Sequence, residues 1–437
     1  MSALRALAGK MPALRQKRQF SFLPVTIYYL SVTNPFSNLI TIYDSRFSVH
    51  GGPMINQERI KNLLLELVQI DSHSRKERDV AERIKKYCEE MGAAVEIDNA
   101  GQAVGGNSGN VIARFPGTIP GAESIMMSAH MDTVVPGEGV KPIVEGDIIR
   151  TDGTTVLGGD DKSGCAVIIE VIRCLQEQNI PHAPIEAIFS ICEEVGLLGA
   201  KNVDVSKIKA KYGIVFDSDD PGFLFTKGPS SNHMEFRIHG LESHAGVAPE
   251  EGISAIKIAA EGLAVMKLGR IDSETTANIG QIEGGLATNI IPNLCVLKGE
   301  ARSHSEEKLE AQTQHMQKCL EDAAAKYEVT VADKTTKASV ESHVERDYSS
   351  MDVPDSSHVV QLVIKAAARM GLDVKTMASG GGCDANVFNR RGIECANLGT
   401  GMRAIHTVKE WLDVKDMYAA ADMTLEIMKL NGELAGK

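Results

Sequence analysis

Four short runs in this chain are apolar enough to be buried on both faces: NVIARF (110–115), SIMMSAH (124–130), IEAIFSI (185–191) and YGIVF (212–216). They read as strands, and KSGCAVIIEVIRCLQEQ (162–178), between the second and third, reads as a helix. Apolar strands alternating with helices describe an α/β sheet covered by helices on both faces. Two helices are expected ahead of them. Asn56 can cap one whose Ile60, Leu63, Leu64 and Leu67 share a face. The other carries Val80, Ile84, Tyr87 and Met91 and stops at Gly92. The fold class expected is α/β, with a mixed, mostly parallel sheet.

The pattern changes between 229 and 344. HMEFRIHG (233–240) alternates like a one-sided strand, 253–268 reads as a helix, and strand runs follow near 276–284 and 293–302. A long helical run (306–327) comes next, and EVTVA (328–332) closes the series as a strand. That β-α-β-β-α-β order describes a ferredoxin-like α+β unit with helices on one face of a small sheet. Helix–strand alternation resumes after about 345. The expected division is therefore one domain from 54–228 and 345–437, with a second, 229–344, inserted into it. Two domains also suit a chain of 437 residues.

Residues 1–53 stand apart. They hold six basic residues and one acid, Asp44, so the remaining 384 hold 40 basic and 57 acidic residues, a net −17. The apolar stretch 20–43 is broken by Pro24, Asn34, Pro35 and Asn38, unlike a membrane-spanning helix, which needs about 20 nearly uninterrupted apolar residues. The expectation is a leader or a mis-assigned start ahead of Met54. The whole-chain charge of −12 disfavours nucleic acid and anionic membranes as partners. Eight cysteines without a C-x-x-C pair indicate neither a zinc knuckle nor a disulfide framework, and a cytoplasmic location is expected.

The chemistry is concentrated just past the strands, where open α/β sheets bind ligands. SAHMDT (128–133) places His130 and Asp132 two apart and therefore on one face of a strand, and LGGDDKSG (157–164) presents Asp160 and Asp161 ahead of a helix. CEEVG (192–196) supplies Glu193 and Glu194, IVFDSDD (214–220) supplies Asp217, and RAIHTVKEW (403–411) offers His406. Alone, each has an ordinary structural explanation; a histidine at a strand end is more often a hydrogen-bonded structural residue. Together they crowd negative charge at one edge of one sheet, and a divalent metal relieves that repulsion. Nitrogen and oxygen donors without thiolate suit zinc, cobalt or manganese.

The order H-x-D, G-G-D-D-K, E-E, D and a distal H resembles the co-catalytic metallopeptidase family of peptidase T, carboxypeptidase G and aminoacylase. Further blocks that resemble it are GLESHAGVAPEEGISAIKIAAE (240–261), TNIIPN (288–293), GEARS (299–303) and GGGCDAN (380–386). The likeness spans about 54–430 and is nearest to the peptidase T and tripeptidase-like branch. It implies a catalytic domain and an inserted lid, with two divalent metal ions in the former. His130 and Asp217 would hold one ion, Glu194 and His406 the other, and Asp160, the first residue of D-D-K, would bridge both. Asp132 would orient His130, and Glu193 would take the proton from the metal-bridging water. The lid's His244, Asn289 and Arg302 would bind substrate, His244 by reaching into the partner's site of a homodimer. Cys192 and Cys383 fall beside the site as bystanders. The implied activity is release of a residue from a short peptide, most like a tripeptide aminopeptidase. N-acyl-amino-acid hydrolysis or dipeptide cleavage would use the same centre. A non-catalytic binding protein would not need Glu193 and the full ligand set.

Overall fold

The computed structural model describes residues 54–436, so the expectations for 1–53 lie outside the described residues. Its main sheet has nine strands. In spatial order they are Ala94–Ile97, Val111–Phe115, Ile185–Ser190, Ile125–His130, Tyr212–Val215, Glu394–Leu398, Phe223–Gly228 and Met351–Asp352, with Lys375–Ala378 also pairing Phe223–Gly228. The four middle strands run parallel. The flanks mix directions, Ala94–Ile97 to Val111–Phe115 to Ile185–Ser190 being antiparallel and Lys375–Ala378 parallel to its neighbour. Parallel pairing puts the C-terminal ends of all four middle strands at one edge, and the acidic motifs follow three of those ends.

The strands are buried because helices pack on them. Gly159–Glu177 lies against Ile125–His130, and Gln57–Val68 and Val414–Ala435 lie against that helix. The first of these begins as its sequence suggests, with the Asn56 side chain accepting from the Arg59 N–H at 3.1 Å and Ile60, Leu63, Leu64 and Leu67 buried. The main core is continuous around Met127, Ile168, Phe189, Ile214 and Phe388.

A second, wholly antiparallel sheet of five strands has its own core of Met234, Phe236, Ile238, Leu297, Leu309 and Leu320. Its order is Gly269–Arg270, Thr275–Gly284, Leu294–Ser303, Ser230–His239, Ser339–Tyr348. Helices Ala255–Val265 and Glu306–Ala324 pack on it and on each other. Burial alternates along Leu294–Ser303, as one-sided strands require. The expected closing strand is corrected here. Glu328–Val331 pairs in a hairpin with Lys334–Lys337, and the edge of the sheet is Ser339–Tyr348. That segment, SVESHVERDY, carries only two aliphatic residues besides its tyrosine, because an edge strand needs little apolar surface. The expected seam at 344/345 falls inside it, and its pairing with Ser230–His239 continues to Tyr348.

A four-stranded sheet escaped the sequence reading: Met402–Arg403, Trp411–Asp413, Ile148–Arg150 and Ile143–Glu145. Its strands of two or three residues leave no periodicity to detect. It ties the chain around His406 to the chain ahead of Asp160. All eight cysteines are free and buried, and no helix among the described residues is long and apolar enough to cross a membrane. Phe189 lies fully buried in the middle strand Ile185–Ser190. Phe189→Ala is expected to lower unfolding free energy by about 3–5 kcal/mol in urea titration.

Candidate metal centre

His130 is the last residue of its strand, and its ring is buried. Its Nδ1 lies 3.0 Å from the Asp132 main-chain oxygen and 3.5 Å from the Asp132 carboxylate, leaving Nε2 free to point at Asp160 Oδ1, 3.0 Å away. Asp132 is past the strand end rather than on it, which corrects the shared strand face expected from their spacing. Its carboxylate has a second task. It accepts from the Ser74 hydroxyl at 2.6 Å and from the N–H groups of Glu193 and Glu194 at 3.0 and 3.3 Å. One buried carboxylate thus ties the His130 turn to the turn carrying both glutamates.

The two aspartates of GGDD diverge. Gly158, at φ +74°, makes the left-handed turn that glycine tolerates best. Asp160 then faces His130 on one side and His406 on the other, with its Oδ2 3.2 Å from His406 Nε2. Asp161 turns inward and accepts from the N–H groups of His130 and Gly164, both at 3.1 Å. Glu194 Oε2 lies 2.8 Å from His406 Nε2, and its Oε1 is buried with no hydrogen-bond partner. Asn397 holds the Asp217 backbone, accepting from its N–H at 2.8 Å.

Two groups of three donors result: His130, Asp160 and Asp217, and Asp160, Glu194 and His406. Within each, one donor atom per residue lies within 4.8 Å of the others, and Asp160 belongs to both. Glu193 lines the same cleft, a space of about 510 Å³ that also meets Arg302, the Ser379–Cys383 loop and the 402–406 turn. Arg302 reaches it from the second sheet, with its Nη2 2.9 Å from Glu300 and its buried Nε without a partner. His244 and Asn289 do not line this cleft. They lie together in an exposed part of the second unit, where the Ala245 N–H donates to Asn289 O at 3.0 Å. Cys192 and Cys383 are buried, the latter at the cleft wall.

The electrostatics are those of anions brought too close. Burial, then the Asp160 charge, pushes the Asp217 carboxyl up to about 8. Burial, then Asp217, raises Glu193 well above the usual range. Glu194 rises chiefly by burial. Asp160 moves the other way: burial opposes its charge, but hydrogen bonds from His130 and His406 outweigh that and hold it low. The same contacts with Asp160 and Glu194 lift His406 to about 10. Two imidazoles are thus drawn toward their cationic form by carboxylates that need positive charge. Divalent ions fit this donor set, because they meet that need directly and give the orphaned Glu194 oxygen a partner.

Three residues near the site were not anticipated. Glu410 is buried beneath the GGDD turn. Asp384, which follows the glycines, accepts from the Ser190 hydroxyl and is pushed up to about 6 by burial. Lys162 is fully buried, and desolvation pulls its ammonium down to about 8. All three sit inside motifs already singled out, GGGCDAN, LGGDDKSG and RAIHTVKEW, but no local pattern separates a buried charge from a solvated one.

Residues 126–430 match Peptidase family M20/M25/M40. The chain belongs to this family. It is a metallopeptidase of the peptidase T-like branch. It is 42% identical to the Bacillus subtilis (strain 168) protein YqjE over 86% of this chain and 99% of that one. It is similar to the crystal structure of aminopeptidase PepT from Bacillus cereus, at 42% identity and a TM-score of 0.75, covering 86% of this chain and 99% of that one. A tripeptidase from Staphylococcus aureus is 37% identical with a TM-score of 0.80, over 87% and 100% of the two chains. The M20 fold also accounts for the expected α/β class with its added α+β unit.

A divalent ion taken up here must displace the proton that Asp217 carries below about pH 8. Zinc or manganese affinity is therefore expected to tighten as pH rises from 6 to 9. Calorimetry in buffers of different ionisation enthalpy should show proton release, greatest at the acidic end.

Proposed function

We propose that this M20 peptidase is a di-metal exopeptidase that hydrolyses short peptides, most like a tripeptide aminopeptidase. One observation carries the reading: two donor groups share the single carboxylate of Asp160, with Glu193 in the cleft beside them. His130 and Asp217 would hold one ion, Glu194 and His406 the other, and Asp160, which belongs to both donor groups, would serve both. The names of the similar proteins, an aminopeptidase and a tripeptidase, support the substrate class. So does the cleft, since about 510 Å³ lies within the roughly 300–1,000 Å³ of small-ligand sites. The donors are imidazole and carboxylate without thiolate, which favours zinc, with cobalt or manganese as substitutes.

When bound, the ions polarise the scissile carbonyl and make water acidic enough to attack near neutral pH. The chain's own residues do the rest. Asp132 fixes the His130 ring through Nδ1 and keeps the turn carrying both glutamates in place. Glu193 removes a proton from the attacking water and returns it to the departing amine; its buried setting, which favours the protonated carboxyl, suits that second half. Arg302 offers a guanidinium with an unused buried N–H to the substrate's carboxylate end.

The second unit, residues 229–344 with its edge strand continuing to Tyr348, serves as the lid. His244 and Asn289 are outside this chain's own cleft, so their role requires a homodimer in which the partner's His244 completes the site. The outer edge of Ser339–Tyr348, paired among the described residues only with Ser230–His239, is a suitable seam for it. Eight free, buried thiols suit a cytoplasmic location.

Glu193→Gln is expected to retain both metals by elemental analysis while turnover falls about 10²–10⁴-fold. Asp160→Asn should lose metal as well as activity. Retention of most activity by metal-loaded Glu193→Gln would remove the base assignment. Incubation with a free-amine tripeptide and its N-acetylated counterpart, products identified by mass, decides the substrate. Release of the first residue from the free peptide alone is expected. Cleavage of the acetylated peptide instead would make the protein an N-acyl-amino-acid hydrolase with the same centre.

A further inference from the structure

Glu410 is two per cent exposed, and neither donor group contains it. Its carboxylate is nevertheless fully engaged. Oε2 accepts the N–H groups of Leu157 at 2.7 Å and Gly158 at 2.8 Å, and Oε1 accepts the N–H of Asp160 at 3.0 Å. Three backbone donors on one buried carboxylate, from residues 250 to 253 positions away in sequence, make a clamp rather than a passing contact. The fit is close, since a Cβ at Gly159 would come within 3.1 Å of Oε1.

The clamp joins the two segments that a pair of ions would have to bridge. Glu410 follows His406 by four residues, its own N–H donates to Thr407 O at 3.0 Å, and the adjoining strand Trp411–Asp413 pairs with Ile148–Arg150. One end of the clamp is thus anchored beside His406 and the other grips the turn that aims Asp160. We infer that Glu410 is a positioning residue that sets the Asp160 carboxylate at the spacing both ions require, before any ion arrives. The inference rests on the metal assignment proposed above.

The chemistry gives a sharp variant. Both oxygens of Glu410 accept, whereas glutamine offers one accepting end and one donating end. In the less damaging orientation of Glu410→Gln, the amide oxygen serves Leu157 and Gly158 and the NH₂ faces the Asp160 N–H. The loss falls on the residue that bridges. Removal of such supporting partners typically weakens metal binding by about 10–100-fold.

The test uses metal-free full-length protein, with zinc or manganese as the only added ligand, measured by equilibrium dialysis and elemental analysis. Glu410→Gln is expected to weaken binding about 10–100-fold relative to the unaltered protein, with occupancy recovered at high metal. A merely structural role would lower the melting temperature of the metal-free protein and leave the dissociation constants unchanged, which would overturn the inference. If the unaltered protein itself bound no metal, the metal assignment would fail instead. Hydrogen exchange on the unaltered protein keeps the test open should the variant not fold. The amides of Leu157, Gly158 and Asp160 should be protected before metal is added. Protection that appears only with metal would show that the ion, not Glu410, organises the turn.

Discussion

Carboxylates held a few ångströms apart and shielded from water repel one another, and most of the site's architecture is an answer to that repulsion. Asp160 opens the helix Gly159–Glu177, Glu193 and Glu194 follow the strand Ile185–Ser190, and Asp217 lies between the strands Tyr212–Val215 and Phe223–Gly228, yet all four face one cleft. At an effective dielectric constant near 20, two such charges 4 Å apart cost about 4 kcal/mol. Nothing at the surface of a sheet obliges a chain to bear that. Here it is borne at the edge where four parallel strands end, which is also where a second unit and the 402–406 turn close the space.

The protein meets the cost in two ways. Three acids that do not face the cleft are given backbone N–H donors: Asp132 takes two, Asp161 two and Glu410 three. Each such acid also joins segments far apart in sequence, so relieving its charge and fixing the geometry are the same act. Lys162, fully buried, adds a positive charge that Glu410 and Asp132 help to retain against desolvation. Asp160 and Glu194, which do face the cleft, have imidazoles as partners instead. That division separates the framework of the site from the atoms free to take up cations.

Much of this could be read from the sequence where the signal is local. The strand runs at 110–115, 124–130, 185–191 and 212–216 matched observed strands within a residue or two, because burial on both faces demands continuous apolar sequence. His130, Glu194 and Asp217 end or closely follow such a run and Asp160 sits in a glycine turn, whereas His406 has no such local mark, and the choice of these five among the motif residues rests on the family resemblance. What failed to show was of another kind. Ser339–Tyr348 was missed because an edge strand can be mostly polar. The sheet linking Ile148–Arg150 to Trp411–Asp413 was missed because strands of three residues have no period.

The order of apolar runs, glycine turns and acids along the chain therefore decided by itself that an α/β sheet would form and that its strand ends would be acidic. Those are properties of neighbouring residues, and periodicity records them. Only the tertiary structure decided which acids meet. Asp160 and Asp161 are adjacent and chemically alike, yet one faces two imidazoles and the other is turned onto the His130 and Gly164 amides. His244 and Arg302 belong to the same inserted unit, yet only Arg302 reaches the cleft. Glu410 acquires its role from amides 250 or more residues away. Such choices depend on strand register and on where buried donors happen to lie, and no local pattern encodes them.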